Sequence, residues 1–405
     1  MTSASKPDSA LRILHIGKYF PPHLGGMETY LRDLMVASAS MGAQPMALVH
    51  QSHFGVRSSE EAQPGKHSKI VITRAATWFR LLYTPVSPVF PWLLHRLIKQ
   101  YQPDVLHLHL PNPSAFWALL LPSARRLPWV IHWQSDVLTP RSHWLLKIAY
   151  VLYAPFESAL LRKAATIIAT SPPYLNTSKP LGKVRSKCEV VPLGIADPFD
   201  HVPADRGSHT VGADSTAPAS PPKPLRVLAV GRMAHYKGFD VLLHAVASVQ
   251  QVQLDLVGKG EQAVSLERLA ASLGIADRVR FHGALDDGSR DELISTCDCL
   301  CLPSTDRTES FGVVILEAMS AAKTCLVSDV AGSGMGWLVD QEKTGLVVPS
   351  NDMTALADAL CRLRDDPGLT HQLGRNGREK FLRSFTIEAS VRAIHNIYRE
   401  LVGSR

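Results

Sequence analysis

One pattern limits what this chain can fold into more than any other. Short apolar segments alternate with stretches of helical period, cease near residue 201 and resume at residue 225. The first series reads RILHI (12–16), PMALVH (45–50), KIVITR (69–74), DVLHLH (104–109), PWVIH (128–132), TIIAT (166–170) and CEVVP (188–192). The second reads LRVLAVG (225–231), VQLDLVG (252–258), RVRFHG (278–283), DCLCLP (298–303), TCLVS (324–328) and GLVVP (345–349). Apolar strands separated by helices belong to βαβ units, whose crossovers make the sheet parallel. Each half is therefore expected to be an open, Rossmann-like α/β domain, one over 1–200 and one over 225–384. Residues 201–224 are rich in Pro, Ser, Ala and Gly without a periodic apolar face, and read as a linker or surface excursion. An amphipathic helix over 385–405 follows the last strand. Ligands of such sheets sit beyond the carboxyl ends of the strands, so a cleft between the two halves is the expected site.

Composition excludes several classes of function. With 405 residues, 45% of them apolar and 20% charged, the chain can bury its own core and is neither fibrous nor disordered. The opening residues carry no apolar h-region, and 18 uncharged apolar residues never run together, so neither a signal peptide nor a membrane-spanning helix is expected. The six cysteines show no disulfide framework, which favours a reducing, cytoplasmic compartment. Cys297, Cys299 and Cys301 alternate along one strand face without zinc spacing and read as apolar packing.

The net charge of +7 is unevenly divided: residues 1–200 hold 21 Lys and Arg against 11 Asp and Glu, the rest 22 against 25. Between Lys66 and Lys187 the count is 16 basic against 3 acidic residues, and six of the seven tryptophans lie between Trp78 and Trp144. Two segments, 74–101 and 140–164, interleave these cations with aromatics, a composition suited to an anionic membrane surface. The plainer alternative is two ordinary helices with packed aromatic faces. Nucleic acid could also attract such charge, but no recognisable binding module is present, so it is not an expected partner.

The second half carries the more specific chemistry. The strand at 225–231 ends in Gly231-Arg232-Met233-Ala234-His235-Tyr236-Lys237-Gly238, which sets two cations on a loop opening a helix, as an anion site requires. The loop after DCLCLP runs through Glu309, Ser310, Phe311 and Gly312 into a helix carrying Glu317. Backbone N–H groups at that helix start can cradle a phosphate. Carboxylates beside a phosphate make sense where they accept hydrogen bonds from sugar hydroxyls. No His, Asp or Glu cluster has recognisable metal spacing, so no metal and no other cofactor is expected.

The segments GRMAHYKG, PSTDRTESFGVVILEAMS and KTGLVVPSNDMTALADAL together resemble glycosyltransferase family 4 over nearly the whole chain except residues 201–224. The resemblance implies the glycosyltransferase-B fold, two Rossmann-like domains facing a cleft, and transfer of a hexose from a nucleotide-diphospho-sugar with retention of anomeric configuration. It implies that Arg232 and Lys237 bind the donor diphosphate, Glu309 contacts the transferred sugar and Glu317 holds the ribose hydroxyls. Ser310, Phe311 and Gly312 would offer backbone N–H groups, while Gly231, Gly258, Gly260 and Gly283 would shape the nucleotide pocket. The C-terminal helix would cross back to the first domain.

In the first half, GKYFPPHLGGMETYLRDL places Gly25 and Gly26 at the start of a helix carrying Glu28, where backbone can approach a ligand. In the resembling family this loop faces donor phosphates and acceptor. Many relatives have a histidine just before an aspartate at the end of the PWVIH strand; here the sequence runs His132-Trp133-Gln134-Ser135-Asp136, and either Gln134 or His132 could take that place. His107 reads as a core residue, and His109 can face core or cleft; neither reads as a metal ligand. HWQSD and GSGMGWL look most like transferases that extend undecaprenyl-diphosphate-linked saccharides of bacterial surface polysaccharides, including mannosyl and rhamnosyl transferases. The expected acceptor is therefore a lipid-linked saccharide at the inner face of the cytoplasmic membrane, with a soluble acceptor or nucleotide-sugar epimerisation as the alternatives.

Overall fold

The computed structural model describes residues 10–23, 25–64, 69–81, 84–137, 144–200 and 223–403. The chain divides into two compact units, Met1–Gly194 with Ile387–Arg405, and Ile195–Thr386. The border falls before residue 200 because Ile195 donates its N–H to Phe385 O at 3.1 Å and Asp197 pairs with Arg378 at 2.6 Å. Most of the expected excursion at 201–224 lies outside the described residues.

Unit 1 is built on an eight-stranded sheet. Its strands are β1 (Arg12–Ile16), β2 (Gln44–Phe54), β3 (Ser59–Pro64), β4 (Lys69–Thr77), β7 (Val105–Leu110), β8 (Trp129–Trp133), β9 (Thr166–Ala169) and β10 (Cys188–Val190), with a separate hairpin of β5 (Phe79–Leu81) and β6 (Thr84–Val86). The spatial order is β10-β9-β8-β7-β1-β2-β4-β3, parallel except for β3, which pairs antiparallel with β4 at one edge. The basic aromatic segment 74–101 is not a single helix. It comprises the end of β4, the hairpin and the helix Phe90–Tyr101, and Pro85 and Pro88 forbid an uninterrupted one. All of β7 is buried, as a central parallel strand covered on both faces should be. The terminal helix Ile387–Gly403 belongs to this unit: Tyr30 and Ser390 hydroxyls meet at 3.0 Å, and His395 Nε2 meets Ser38 Oγ at 3.1 Å.

Unit 2 holds a fully parallel six-stranded sheet of β11 (Leu225–Val230), β12 (Val252–Val257), β13 (Val279–Gly283), β14 (Cys299–Leu302), β15 (Thr324–Asp329) and β16 (Gly345–Pro349). Its order, β13-β12-β11-β14-β15-β16, is that of a doubly wound dinucleotide-binding sheet. Phe239, Leu242, Leu243 and Val246 share one face of the helix Phe239–Ser248 at helical spacing, and all four are buried in the core of this unit. Truncating such a leucine costs about 2–5 kcal/mol. Cys297 caps the preceding helix rather than joining β14, while Cys299 and Cys301 keep their shared face; all three thiols are free and buried.

Candidate active site

In unit 2 the strand order reverses between β11 and β14, the crevice where such sheets bind ligands. The loops leaving these two strands are tied to each other. Thr305 donates its N–H to Tyr236 O at 2.7 Å, and Gly238 approaches so closely that a Cβ would stand 2.2 Å from Pro303 O. Gly238 also has φ +64°, so no other residue type fits without strain. A Cβ on Gly258 would lie 1.8 Å from Gly231 O, which brings the loop after β12 against the first residues of the Arg232 loop.

These loops converge on a buried ion pair. Lys237 Nζ lies 2.5 Å from Glu309 Oε2, with the two side chains 9% and 13% exposed. Burial opposes the ammonium charge, but Glu309, then Tyr236 and Glu317, outweigh it and hold Lys237 above the usual lysine range. Ser304 Oγ stands 3.5 Å from the same Glu309 oxygen, and Ser333 Oγ donates to Glu309 O at 2.5 Å. Ser310 is braced by the Gly334 N–H, and Phe311 is buried. Gly312, at φ +86°, starts the helix Val313–Ser320, whose N-terminus carries no side-chain cap. Glu317 lies in the second turn, with Arg290 Nε 3.7 Å from its carboxylate. Arg232 is exposed and reaches Glu261 at 3.2 Å, and Gly283 adopts φ +67° beside Lys259. The arrangement offers an anion a lysine and an open helix N-terminus, and offers hydroxyls two carboxylates.

In unit 1 the corresponding reversal lies between β1 and β7, and a small cavity opens there, walled by Lys18, Tyr19, Glu28, His109, Pro111 and Gln134 among others. Gln134 enters this cavity and His132 does not: His132 is fully buried beneath it, edge-on to Tyr30 at 5.1 Å. Asp136 is engaged away from the cavity, its Oδ1 accepting from Trp133 Nε1 at 2.9 Å and Ser178 Oγ at 2.7 Å. His109 is 5% exposed and lines the cavity wall, whereas His107 is wholly buried. Gly25 leaves room for the Glu28 carboxylate to fold back over the helix start, since a Cβ there would lie 2.2 Å from Glu28 Oε2; a Cβ on Gly26 would meet nothing. Burial raises the Glu28 carboxyl and lowers the Lys18 ammonium, and each partly restores the other's charge. Lys18 and Glu28 escape a motif search; their signal is a lysine after an apolar strand and a glutamate in the first turn of a helix opened by glycines.

Residues 213–380 match the family described as glycosyl transferases group 1, and residues 25–194 match the glycosyl transferase 4-like domain. The chain is a glycosyltransferase. Over 98% of its length this glycosyltransferase is 28% identical to the whole of the O-antigen chain mannosyltransferase C of Escherichia coli. It is 29% identical to the D-rhamnosyltransferase WbpZ of Pseudomonas aeruginosa, over 93% of this chain and 92% of that one. Sucrose-phosphate synthase from Thermosynechococcus elongatus superposes with a TM-score of 0.72 at 23% identity, over 98% of the glycosyltransferase and 100% of that chain. Its two parallel α/β units are those of the glycosyltransferase-B fold.

Proposed function

We propose that the protein is a retaining hexosyltransferase of surface-polysaccharide biosynthesis, moving a sugar from a nucleotide-diphospho-sugar to a lipid-linked saccharide. The observation that carries this reading is the buried Lys237–Glu309 pair at the strand-order reversal of unit 2, beside an uncapped helix N-terminus. Arg232 and Lys237 bind the diphosphate, Ser310, Phe311 and Gly312 add backbone N–H groups, Glu309 orients the transferred sugar, and Glu317 takes the ribose hydroxyls. Gly25, Gly26 and Gln134 serve the reaction centre from unit 1, with His109 beside them. The acceptor hydroxyl attacks the anomeric carbon on the face from which the diphosphate departs, through an oxocarbenium-like state. The departing phosphate takes the hydroxyl proton. Here fixed protein cations do the work that a divalent ion does in other transferases, so no metal or cofactor enters the transfer.

The relatives named as O-antigen mannosyltransferase and D-rhamnosyltransferase support a surface-polysaccharide product. Exposed apolar side chains support a membrane-borne acceptor. Phe54, Trp78, Phe79, Leu81 and Trp92 project from unit 1, with Arg80 against Phe54 and Arg96 against Trp92, and Ile148, Val151 and Leu152 line the outer side of the helix Trp144–Lys163. On this reading attachment is peripheral, at the inner face of the cytoplasmic membrane; among the described residues no helix is long and apolar enough to cross a membrane.

A thermal-shift panel of UDP-, GDP-, ADP- and dTDP-sugars identifies the donor, because ligand stabilises by RT ln(1 + [L]/Kd). With that donor and a lipid-linked acceptor, Lys237→Ala is expected to lower turnover about 10²–10³-fold, the loss typical of one preorganised donor. Near-normal turnover at saturating donor overturns the assignment of the phosphate site. Conversion of donor with no acceptor present overturns transfer in favour of epimerisation.

A further inference from the structure

The sheet face beneath the unit 1 cavity carries four imidazoles. His15 on β1 pairs in register with His107 on β7, and His109, two residues further along β7, pairs with His132 on β8. Ring centroids lie 4.4 Å apart for His107 and His109, 5.0 Å for His15 and His107, and 5.4 Å for His15 and His109. All four rings are 5% exposed or less. His15 Nε2, His107 Nε2, His109 Nδ1 and both nitrogens of His132 have no hydrogen-bond partner among the described residues. The unpartnered His107 Nε2 shares this layer with His15 Nδ1 and His109 Nε2, which face each other.

We propose that His15, His107 and His109 form a binding site for a divalent transition-metal ion, with zinc the ion best matched to three neutral imidazoles. One ring nitrogen from each of the three lies within 4.8 Å of one from each of the others. His15 Nδ1 and His109 Nε2 are already 3.1 Å apart, close to the ~3.3 Å between two ligands on a tetrahedral ion with bonds of 2.0–2.1 Å. His107 Nδ1 meets Tyr398 Oη at 2.5 Å, and a ring donating there keeps its Nε2 lone pair free for an ion. His109 also lines the cavity with Glu28 and Gln134. The ion sits in unit 1, pins the carboxyl ends of β1 and β7 under that cavity and takes no part in the transfer.

The test uses full-length protein and needs no activity. The chain is incubated with a small excess of ZnCl2, freed of loose ion by gel filtration and analysed for metal. About one equivalent is expected to remain on the wild type and under about a tenth on His107→Gln and on His15→Gln. Zinc-edge X-ray absorption of the wild type is expected to show imidazole nitrogens at about 2.0–2.1 Å, and this reading stands even where a variant folds poorly. Wild type that retains no zinc, zinc held by sulfur or by carboxylate oxygen alone, or full retention by both variants overturns the proposal.

Discussion

Replacing Lys237 by methionine keeps the length of the side chain and removes its charge, leaving Glu309 without its partner at 2.5 Å. Stripping one member from a buried pair costs about 3–5 kcal/mol, because the remaining charge is stranded in low dielectric. Both side chains keep some exposure, 9% and 13%, which lets water recover part of that loss and lowers the expectation to about 2–4 kcal/mol. Glu309→Gln is expected to destabilise by a similar amount, since it strands the ammonium. The double variant K237M/E309Q strands neither, so its loss should fall short of the sum of the singles by about 2 kcal/mol. The assay is native-state hydrogen exchange on peptides of unit 2, which reads local stability without requiring the whole chain to unfold at once. Turnover separates stability from catalysis: the double variant regains stability but stays at least about 10²–10³-fold slow, because the phosphate has lost its cation and the sugar its carboxylate. Losses that add to within about 0.5 kcal/mol would refute the idea that this pair is a coupled unit.

Other perturbations follow from the same geometry. Gly258→Ala forces a Cβ to within 1.8 Å of Gly231 O at φ +144°, so the Arg232 loop must shift by about an ångström. Turnover should fall about 10²-fold, while Gly182→Ala, with open space around it, leaves steady-state kinetics near wild type. Burial, supported by Asp136 and opposed by the Tyr150 hydrogen bond, lifts Glu157 from 4.5 to about 7. Between those pH values the unfolded chain has released this proton and the folded chain has kept it, so stability falls as pH rises through that window. Urea midpoints at pH 5 and pH 8 should show a drop of about 2–3 kcal/mol that Glu157→Gln abolishes. Phe79→Ser with Leu81→Ser, two exposed positions on the hairpin, should weaken flotation with anionic liposomes several-fold while leaving donor-induced thermal shifts unchanged.

The parallel strands were legible because burial on both faces writes them as apolar runs; β7 and β14 are read within a residue or two of their ends. What escaped has the opposite physics. β3, Ser59–Pro64, lies at an edge and has no large apolar residue, so nothing in its composition marks it, and Pro64 is tolerated only because an edge strand has no ladder partner on one side. The three-residue strands of the hairpin are too short for any period to show. The residues proposed for the donor side stand out by their spacing, Arg232, Lys237 and Glu309 on two loops and Glu317 on the helix that follows. The histidine layer does not: alternation joins His107 to His109, but His15 and His132 reach them only through strand register. That Gln134 lines the cavity while His132 lies buried likewise needed the sheet, because alternation puts the two on one face and only the end of the strand, at Trp133, separates them.

The helix Ile387–Gly403, made after unit 2, lies inside the unit that is made first. A ribosome that has read as far as residue 386 has already delivered every residue of unit 2, yet Tyr30, His107 and Ser38 still await Ser390, Tyr398 and His395. Completion of the amino-terminal lobe is thereby postponed until unit 2 has been made. A nonsense codon or a protease cut near residue 386 would disable that lobe from a point nearly two hundred positions downstream of its own sheet.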